Sequence, residues 1–211
     1  MPIHSNQSPG EFTGLRVSRA TGRRNPLSAA DIRGIARLTL TIALIFLAAG
    51  ASRATGSSTK LELKTTSFPP GSTIPTQFTC SGANISPDLS WNNPPPRTQS
   101  LVLIVDDPDA PAGTWVHWVV YDLPALARHL PEHVLPGDAV AGGGKQGVND
   151  FSTNGYGGPC PPPGKPHRYF FRLYALDTTV ALRAPVHRKD VDSAMKGHVL
   201  AQAELMGTFG R

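Results

Sequence analysis

The sequence predicts a mainly β protein: a two-sheet β sandwich with a small anion pocket at the strand ends and one C-terminal helix. Three strongly apolar, strand-like runs support this prediction, at residues 101–105, 115–121 and 167–176. Each run adjoins a polar segment that contains Asp, His or Pro, as strands do where they reach the rim of a sheet. Because only one helical pattern follows, late in the chain, we expect the layers to be sheets.

The first strand-like pieces lie at residues 61–65, 78–80 and 89–91, separated by turn-forming prolines and glycines. Residues 101–105 then form a continuous aliphatic run, too short for a helix. Such a run is typical of a central strand that is buried on both faces. The strand should end before Pro108, because proline cannot donate a hydrogen bond to a neighbouring strand.

The run at residues 115–121 alternates with a period of two, which predicts that one set of side chains faces the core and the other faces away. The two sets are Val116, Trp118 and Val120, and Trp115, His117 and Val119. Residues 136–166 then form a long stretch rich in Gly and Pro. Long loops of this kind are usually functional or flexible, and their glycines let backbone amides approach a ligand.

Residues 167–176 form a further strand, with His167 at its first position and therefore at the rim. One face of this strand carries His167, Tyr169, Phe171, Leu173 and Ala175. Residues 190–204 have apolar side chains at helical spacing, which predicts a helix with Asp190 as its N-cap. A short strand at residues 205–209 should close the chain.

The basic charge of the chain is concentrated at its N-terminus. Six arginines and two carboxylates lie in residues 1–51, whereas the remaining residues hold 14 basic and 13 acidic groups. A basic leader, an uncharged apolar stretch at residues 38–51 and the small residues Ala49-Gly50-Ala51 are typical of a secretory signal peptide. An uncleaved anchor is the alternative, although the stretch is shorter than the roughly 20 residues of a spanning helix.

The sequence therefore predicts a signal peptide at residues 1–51, a flexible linker at residues 52–59 and one domain at residues 60–211. We expect a periplasmic or secreted protein with no stable membrane span after cleavage. Nucleic acid is not expected as a partner, because the domain lacks a basic cluster with interleaved aromatic residues. The two cysteines, Cys80 and Cys160, are either a disulfide pair, as is common in exported proteins, or two buried free thiols.

Two short motifs concentrate chemistry at the strand ends. Residues 107–111 read Asp-Pro-Asp-Ala-Pro, and residues 164–169 read Gly-Lys-Pro-His-Arg-Tyr, with Trp115-Val116-His117 between them. Paired imidazoles can donate hydrogen bonds to an anion, and the carboxylates can orient those imidazoles or hold their charge. Glycine-rich backbone supplies further donors. This combination favours a phosphate or a similar small oxyanion, although Asp-Pro is also ordinary turn chemistry.

These motifs, together with residues 157–169 (GGPCPPPGKPHRY), resemble the phosphatidylethanolamine-binding protein family, also called the Raf kinase inhibitor protein family. The similarity is greatest to its bacterial branch and covers residues 60–211. The resemblance implies a two-sheet sandwich whose pocket binds the phosphate head of phospholipids. Carried over by motif, the residues that would line this pocket are Asp107, Asp109, Pro111, Trp115, His117, Gly158, Pro159, His167 and Tyr169.

The leading hypothesis is a non-enzymatic binding protein for phosphate-bearing small molecules or phospholipid head groups, without a cofactor. An inhibitory role toward a kinase or a protease is a further expectation from the resemblance. However, only three residues separate Asp-Pro-Asp-Ala-Pro from Trp115, unlike in eukaryotic members, which argues against their kinase-binding surfaces. The alternative is a metal-dependent hydrolase that uses His117, His167, Asp107 and Asp109, since mixed His and carboxylate sets bind divalent metals.

Overall fold

Eight antiparallel strands in two sheets dominate the computed structural model, which describes residues 60–211. The predicted signal peptide (residues 1–51) and linker (residues 52–59) lie outside the described residues. The strands are β1 (Leu63–Lys64), β2 (Leu89–Trp91), β3 (Ser100–Asp107), β4 (Trp115–Pro124), β5 (His129–Leu130), β6 (Lys145–Gln146), β7 (His167–Leu176) and β8 (Val199–Phe209). One helix, α1 (Arg188–Met195), and a short 3₁₀ helix (Thr76–Phe78) complete the regular elements of this part of the chain.

The larger sheet has the strand order β6-β4-β3-β7-β8, and the smaller sheet has the order β1-β2-β5. β3 lies at the centre of the larger sheet, and all eight of its residues are buried. The predicted central strand is therefore confirmed. The mainly β, two-sheet fold with one helix is also as predicted. No helix within the described residues is long and apolar enough to cross a membrane.

Each face of the larger sheet carries its own apolar core. The main core lies between the two sheets, where Trp91 and Leu130 of the smaller sheet join Trp118 and Phe171 of the larger one. The second core lies on the opposite face, where Val191 of α1 packs with strand residues of β3 and β4. Burial of both faces explains the unbroken aliphatic run at residues 101–105 of β3, since neither face meets water.

A β-bulge at His117 changes the predicted faces of β4. Val105 of β3 pairs with Trp118, whereas the next residue, Asp106, pairs with Val116, so that His117 is an extra residue in β4. Bulges re-aim side chains and are frequent beside functional sites. The prediction that Val116 shares a face with Trp118 is therefore wrong, because Val116 packs in the second core. Val119 also packs in the second core. The simple alternation had instead placed Val119 on the same face as His117.

Two other predicted elements differ from the structure. Residues 78–80 are not a strand, because Pro75 begins a tight turn in which the amides of Phe78 and Thr79 donate to the carbonyls of Pro75 and Thr76. The predicted helix at residues 190–204 is also too long and starts too late. α1 ends at Met195, Gly197 follows with a positive φ of 83°, and the chain then enters β8.

The start and end of α1 have identifiable causes. His187 is the N-cap, and Asp190 lies inside the helix, where its carboxylate accepts a hydrogen bond from the His187 amide at 2.9 Å. The residues after Gly197 pair along β7, from Val199 opposite Leu176 to Phe209 opposite His167. Pairing with the sheet thus outweighs a local helical pattern, as tertiary contacts commonly do.

Candidate functional site

A cavity of about 190 Å³ lies where β3 ends and where β4 and β7 begin. Because the three strands are antiparallel neighbours, these three strand ends meet at the same end of the larger sheet. The cavity is lined by Asp107, Ala110, Pro111, Trp115, His117, Phe151, Cys160, Pro161, Pro162 and His167. Five of the nine residues predicted to bind a ligand therefore surround one cavity: Asp107, Pro111, Trp115, His117 and His167. Their role as ligand contacts remains a prediction.

The side chains of Asp107 and His167 form a hydrogen bond at the wall of this cavity. The Asp107 Oδ2 atom lies 2.7 Å from His167 Nδ1, and both side chains are almost fully buried. The other carboxylate oxygen accepts a hydrogen bond from the Asp109 amide at 2.8 Å. A carboxylate can only accept, so Nδ1 of His167 is the donor. Nε2 of His167 can then donate to a ligand only when the ring is an imidazolium.

His117 has a different environment, although it lines the same cavity. Its Nδ1 atom lies 2.6 Å from the carbonyl oxygen of Gly157, which can only accept, so this nitrogen also carries a proton. Burial lowers the pKa of His117, more than the carbonyl and the Asp107 carboxylate raise it. The ring is therefore neutral at pH 7, with Nε2 as an acceptor. The two imidazoles thus supply different groups to the cavity.

Aromatic rings form one wall of the cavity. The Trp115 and Phe151 rings meet edge to face at 5.5 Å, and the His117 ring packs against Phe151 at 5.4 Å. The indole nitrogen of Trp115 is buried and has no hydrogen-bond partner among the described residues. In contrast, Trp91 donates to a backbone carbonyl and Trp118 donates to a glutamine side chain. Since an unpaired buried donor is costly, the Trp115 indole is suited to meet an acceptor on a ligand.

Tyr169 lies beneath the cavity and does not line it. Its side chain is fully buried, and its ring packs against His117 at 5.2 Å. Burial, and then the Asp107 carboxylate, raise the pKa of Tyr169, so the phenol stays protonated. The hydroxyl has no hydrogen-bond partner of normal geometry within residues 60–211. Tyr169 therefore supports His117 from below.

Asp109 points away from the cavity, toward Arg168. Its two carboxylate oxygens accept from Arg168 Nε at 2.9 Å and from Nη2 at 2.7 Å, and the Arg168 amide donates as well, at 3.0 Å. The Arg168 guanidinium holds the pKa of Asp109 far below its usual range. Asp109 therefore fixes the turn after β3 to the start of β7, and it does not line the cavity.

Gly158 and Pro159 hold the loop that carries the opposite wall. The Gly158 amide donates to Asn84 Oδ1 at 2.8 Å, and the Pro159 carbonyl accepts from the Cys80 amide at 3.1 Å. A Cβ atom on Gly158 would lie 2.4 Å from the carbonyl oxygen of Phe78, so this position needs glycine for close packing. These two residues position the wall and do not face the cavity.

The structure contains a disulfide between Cys80 and Cys160, the first of the two alternatives that the sequence left open. Cys160 lines the cavity, whereas Cys80 lies at the surface near the 3₁₀ helix. The bond therefore ties the wall of the cavity to a segment that is 80 residues distant in sequence.

The chain matches the model of the phosphatidylethanolamine-binding protein family over residues 64–210. This match spans both sheets, the cavity and α1. The chain belongs to the phosphatidylethanolamine-binding protein family. The resemblance identified from the motifs is thereby confirmed, and family membership supports a role as a binding protein.

Relatives of known sequence agree with this assignment. A UPF0098 protein of Methanothermobacter thermautotrophicus is 49% identical over 151 residues, which are 72% of this chain and 99% of that protein. A UPF0098 protein of Aquifex aeolicus is 48% identical and is covered to 89% of its length, again by 72% of this chain. The similarity therefore spans nearly the whole of these proteins.

Solved structures of family members have the same fold. A putative phosphatidylethanolamine-binding protein homologue from Chlamydia trachomatis superposes with a TM-score of 0.65 at 39% identity, covering 72% of this chain and 98% of that one. YbcL of E. coli, described as a member of the mammalian PEBP family, superposes with a TM-score of 0.66 at 32% identity, covering 72% and 99%.

Sequence reasoning missed several residues that line the cavity. Phe151 is the most prominent of these, and it comes from the long loop before β7, where its amide donates to Asn149 Oδ1 at 2.9 Å. No spacing in the sequence connects Phe151 to Trp115, because the loop between β6 and β7 has no periodic pattern. The prolines Pro161 and Pro162 lie next to the predicted motif residue Pro159, so proximity in sequence was the available signal for them.

Proposed function

We propose that this chain is a non-enzymatic binding protein that holds the phosphate group of a small molecule or of a phospholipid head group against His167. The observation that carries the proposal is the buried pair of Asp107 and His167, which lies in the same cavity as the unpartnered Trp115 indole. The carboxylate stabilises the imidazolium, and the imidazolium and the indole are both donors. Charge-assisted hydrogen bonds of this type are the strong ones for oxyanions.

The charge balance of the cavity makes His167 decisive. The ionisable residues that line the cavity are Asp107, His117 and His167, with no Lys or Arg among the lining residues. With both rings neutral, the lining carries one negative charge, which would repel an anion. Protonation of His167 brings the lining to neutrality and turns its Nε2 into a donor. The imidazolium is therefore the form of His167 that can hold a phosphate in this cavity.

The size of the cavity supports a head group as the bound moiety. Pockets that enclose drug-sized ligands have volumes of about 300–1,000 Å³. A cavity of about 190 Å³ is smaller than these. It suits a phosphate with a short substituent, and acyl chains of a lipid would remain outside.

The lining residues support binding more than chemistry. They include no hydroxyl group, and the sulfur of Cys160 is committed to the disulfide. No group of three or more His, Cys, Asp or Glu side chains within residues 60–211 is arranged to hold a metal ion. No observation therefore favours the metal-dependent hydrolase over the binding protein, and we do not propose it.

Export is a further part of the proposal. The disulfide supports an oxidising compartment, because such bonds persist outside the cytoplasm. We therefore place the protein in the periplasm or the medium, after removal of residues 1–51. Inhibition of a kinase or a protease is supported by no described contact, and we do not include it.

Calorimetric titration with O-phosphoethanolamine at pH 6 tests the proposal. We expect His167→Ala to bind at least about tenfold more weakly than wild type, the loss expected for one charge-assisted hydrogen bond. His129→Ala is the matched control, because His129 is exposed on β5 in the other sheet. His167→Asn, which can still donate to Asp107, guards against misfolding of the Ala variant. Equal affinities in wild type, His167→Ala and His167→Asn would contradict the proposal.

A further inference from the structure

A second, larger cavity of about 620 Å³ adjoins the first and shares His167 with it. Its lining residues are Asp109, Lys165, Pro166, His167 and Arg168, and we call it the basic groove. The cavity around Asp107 and His167 is called the phosphate pocket below. Because His167 lines both, a ligand whose phosphate meets this imidazole lies beside the basic groove.

The charge of the basic groove is opposite to that of the phosphate pocket. Lys165 and Arg168 contribute two positive charges and Asp109 one negative charge, so the groove carries a net positive charge even with His167 neutral. The phosphate pocket, in contrast, carries Asp107 and no Lys or Arg. The groove therefore contributes positive charge beside the phosphate pocket.

The two cations of the groove, Lys165 and Arg168, differ in their contacts with the protein. Arg168 is fixed by Asp109 through Nε and Nη2, and it also lies over the Phe170 ring at 5.7 Å, which leaves its Nη1 atom without a protein acceptor among residues 60–211. Lys165 is exposed, and within the same residues its ammonium makes neither an ion pair nor a hydrogen bond. Lys165 is thus the cation whose charge is not already compensated.

We propose that the ligand is an organic phosphate with a second acidic group, and that this second group lies in the basic groove beside Lys165. The inference rests on the proposed function, since it presumes a phosphate at His167. It adds the chemical class of the ligand and assigns Lys165 as the residue that selects for it. A soluble phosphorylated acid and a phospholipid head group that carries a carboxylate share this chemistry.

Matched small ligands test the inference with the full chain. Phosphoglycolate and ethyl phosphate each carry a phosphate monoester on two carbons, but only phosphoglycolate has a carboxylate. We expect wild type to bind phosphoglycolate about fivefold more tightly at low salt, as one partly exposed ion pair provides. Lys165→Ala should remove this preference, so that the variant binds the two ligands with similar affinity and phosphoglycolate loses more affinity than ethyl phosphate. Lys196→Ala, an exposed lysine after α1, is the matched control and should keep the preference.

The other outcomes are distinguishable. If wild type binds ethyl phosphate and phosphoglycolate equally, the inference is overturned and the proposed function stands. If Lys165→Ala weakens both ligands equally, Lys165 contacts the phosphate itself, which also overturns the inference. If neither ligand binds, the proposed function fails together with the inference.

Vesicle sedimentation separates the two sources of the ligand. Phosphatidylcholine vesicles are prepared with and without phosphatidylserine, whose head group carries a carboxylate besides its phosphate. Given the phosphoglycolate preference, binding only to the serine-containing vesicles, and its loss in Lys165→Ala, would identify a membrane lipid. The same preference without vesicle binding would identify a soluble ligand.

Discussion

Asp107 and His167 are the last residue of β3 and the first residue of β7, and a 2.7 Å contact joins Oδ2 of the one to Nδ1 of the other. The two residues lie 60 positions apart in sequence and on neighbouring antiparallel strands. The pair determines which nitrogen of His167 carries the first proton. Consequently, Nε2 donates to a ligand only when the ring is charged.

Binding of an anion should therefore depend on pH. A phosphodiester such as glycerophosphoethanolamine keeps its single negative charge across the neutral range, so changes in affinity report on the protein. We expect tighter binding at pH 6 than at pH 8, because the bound anion favours the imidazolium, and a much smaller difference in His167→Asn. Calorimetry at both pH values measures this difference in affinity. A pH dependence that persists in His167→Asn would contradict the role of His167 as the donor to the anion.

Of the adjacent carboxylates, Asp106 should affect the stability of the fold, and Asp107 should affect the binding of phosphate. Asp106 is buried and forms ion pairs with Arg172 and Arg188 on the face of the sheet that carries α1. Asp106→Asn should lower the free energy of unfolding by about 2 kcal/mol, because an amide donor would then face an arginine. It should leave phosphate affinity within about twofold, since no hydrogen bond to the ligand is lost.

Asp107→Asn should show the reverse pattern. The asparagine can still accept from His167, so stability should change little, but the charge that favours the imidazolium is gone. Affinity for phosphate at pH 6 should fall by about tenfold, the value of one charge-assisted interaction. Urea unfolding and calorimetry of both variants give the comparison. Equal effects of the two substitutions on binding would show that the pocket does not depend on Asp107.

The stability of the fold should decrease in mild acid partly through His117. Burial lowers the pKa of His117 in the folded protein, so the unfolded chain binds more protons as the pH falls below about 6.5. The stabilisation that this group provides is complete above that pH and is lost progressively below it. In His117→Asn, which keeps a donor for Gly157, we expect a smaller loss of unfolding free energy between pH 7 and pH 5. An unchanged loss, measured by urea unfolding, would contradict this account of His117.

The disulfide should contribute substantially to stability. It joins residues 80 positions apart, and a closed loop of that length is worth on the order of 4 kcal/mol in the chain-entropy model. We expect Cys80→Ala with Cys160→Ala to lose much of this free energy in urea unfolding, since the variant's unfolded chain is unconstrained. Wild type with a dithiol reductant should converge on the variant. Equal stability of oxidised wild type and the double variant would show that the bond is not formed in solution.

The parts of the fold that sequence could predict are those set by local pattern. β7 was predicted residue for residue, because its buried residues alternate with more exposed ones from His167 to Ala175. The bulge at His117 was not predictable, because it depends on the register between β3 and β4. α1 was overextended because the pairing of Val199 with Leu176 is a long-range contact that a helical pattern does not show.

The candidate site also contains residues that the sequence could predict and residues that it could not. The motifs predicted that Asp107, His117 and His167 share one cavity, because each lies within two residues of a strand end and the strands are neighbours. The direction of the Asp109 side chain could not be predicted, since it is set by an ion pair with Arg168 of β7. Phe151 reaches the cavity from an aperiodic loop, so its position depends on tertiary packing alone.

The three tryptophans of the chain allow the most direct test of where a phosphate binds. Trp91 and Trp118 donate their indole protons within the protein, whereas the buried Trp115 indole has no partner among the described residues and lines the pocket. A ¹H–¹⁵N spectrum of labelled protein resolves the three indole signals, and a Trp→Phe substitution assigns each one. On addition of O-phosphoethanolamine at pH 6, we expect the Trp115 signal to shift and the other two to stay in place. A Trp115 signal that does not move while the ligand binds would show that the phosphate lies elsewhere and would contradict the account.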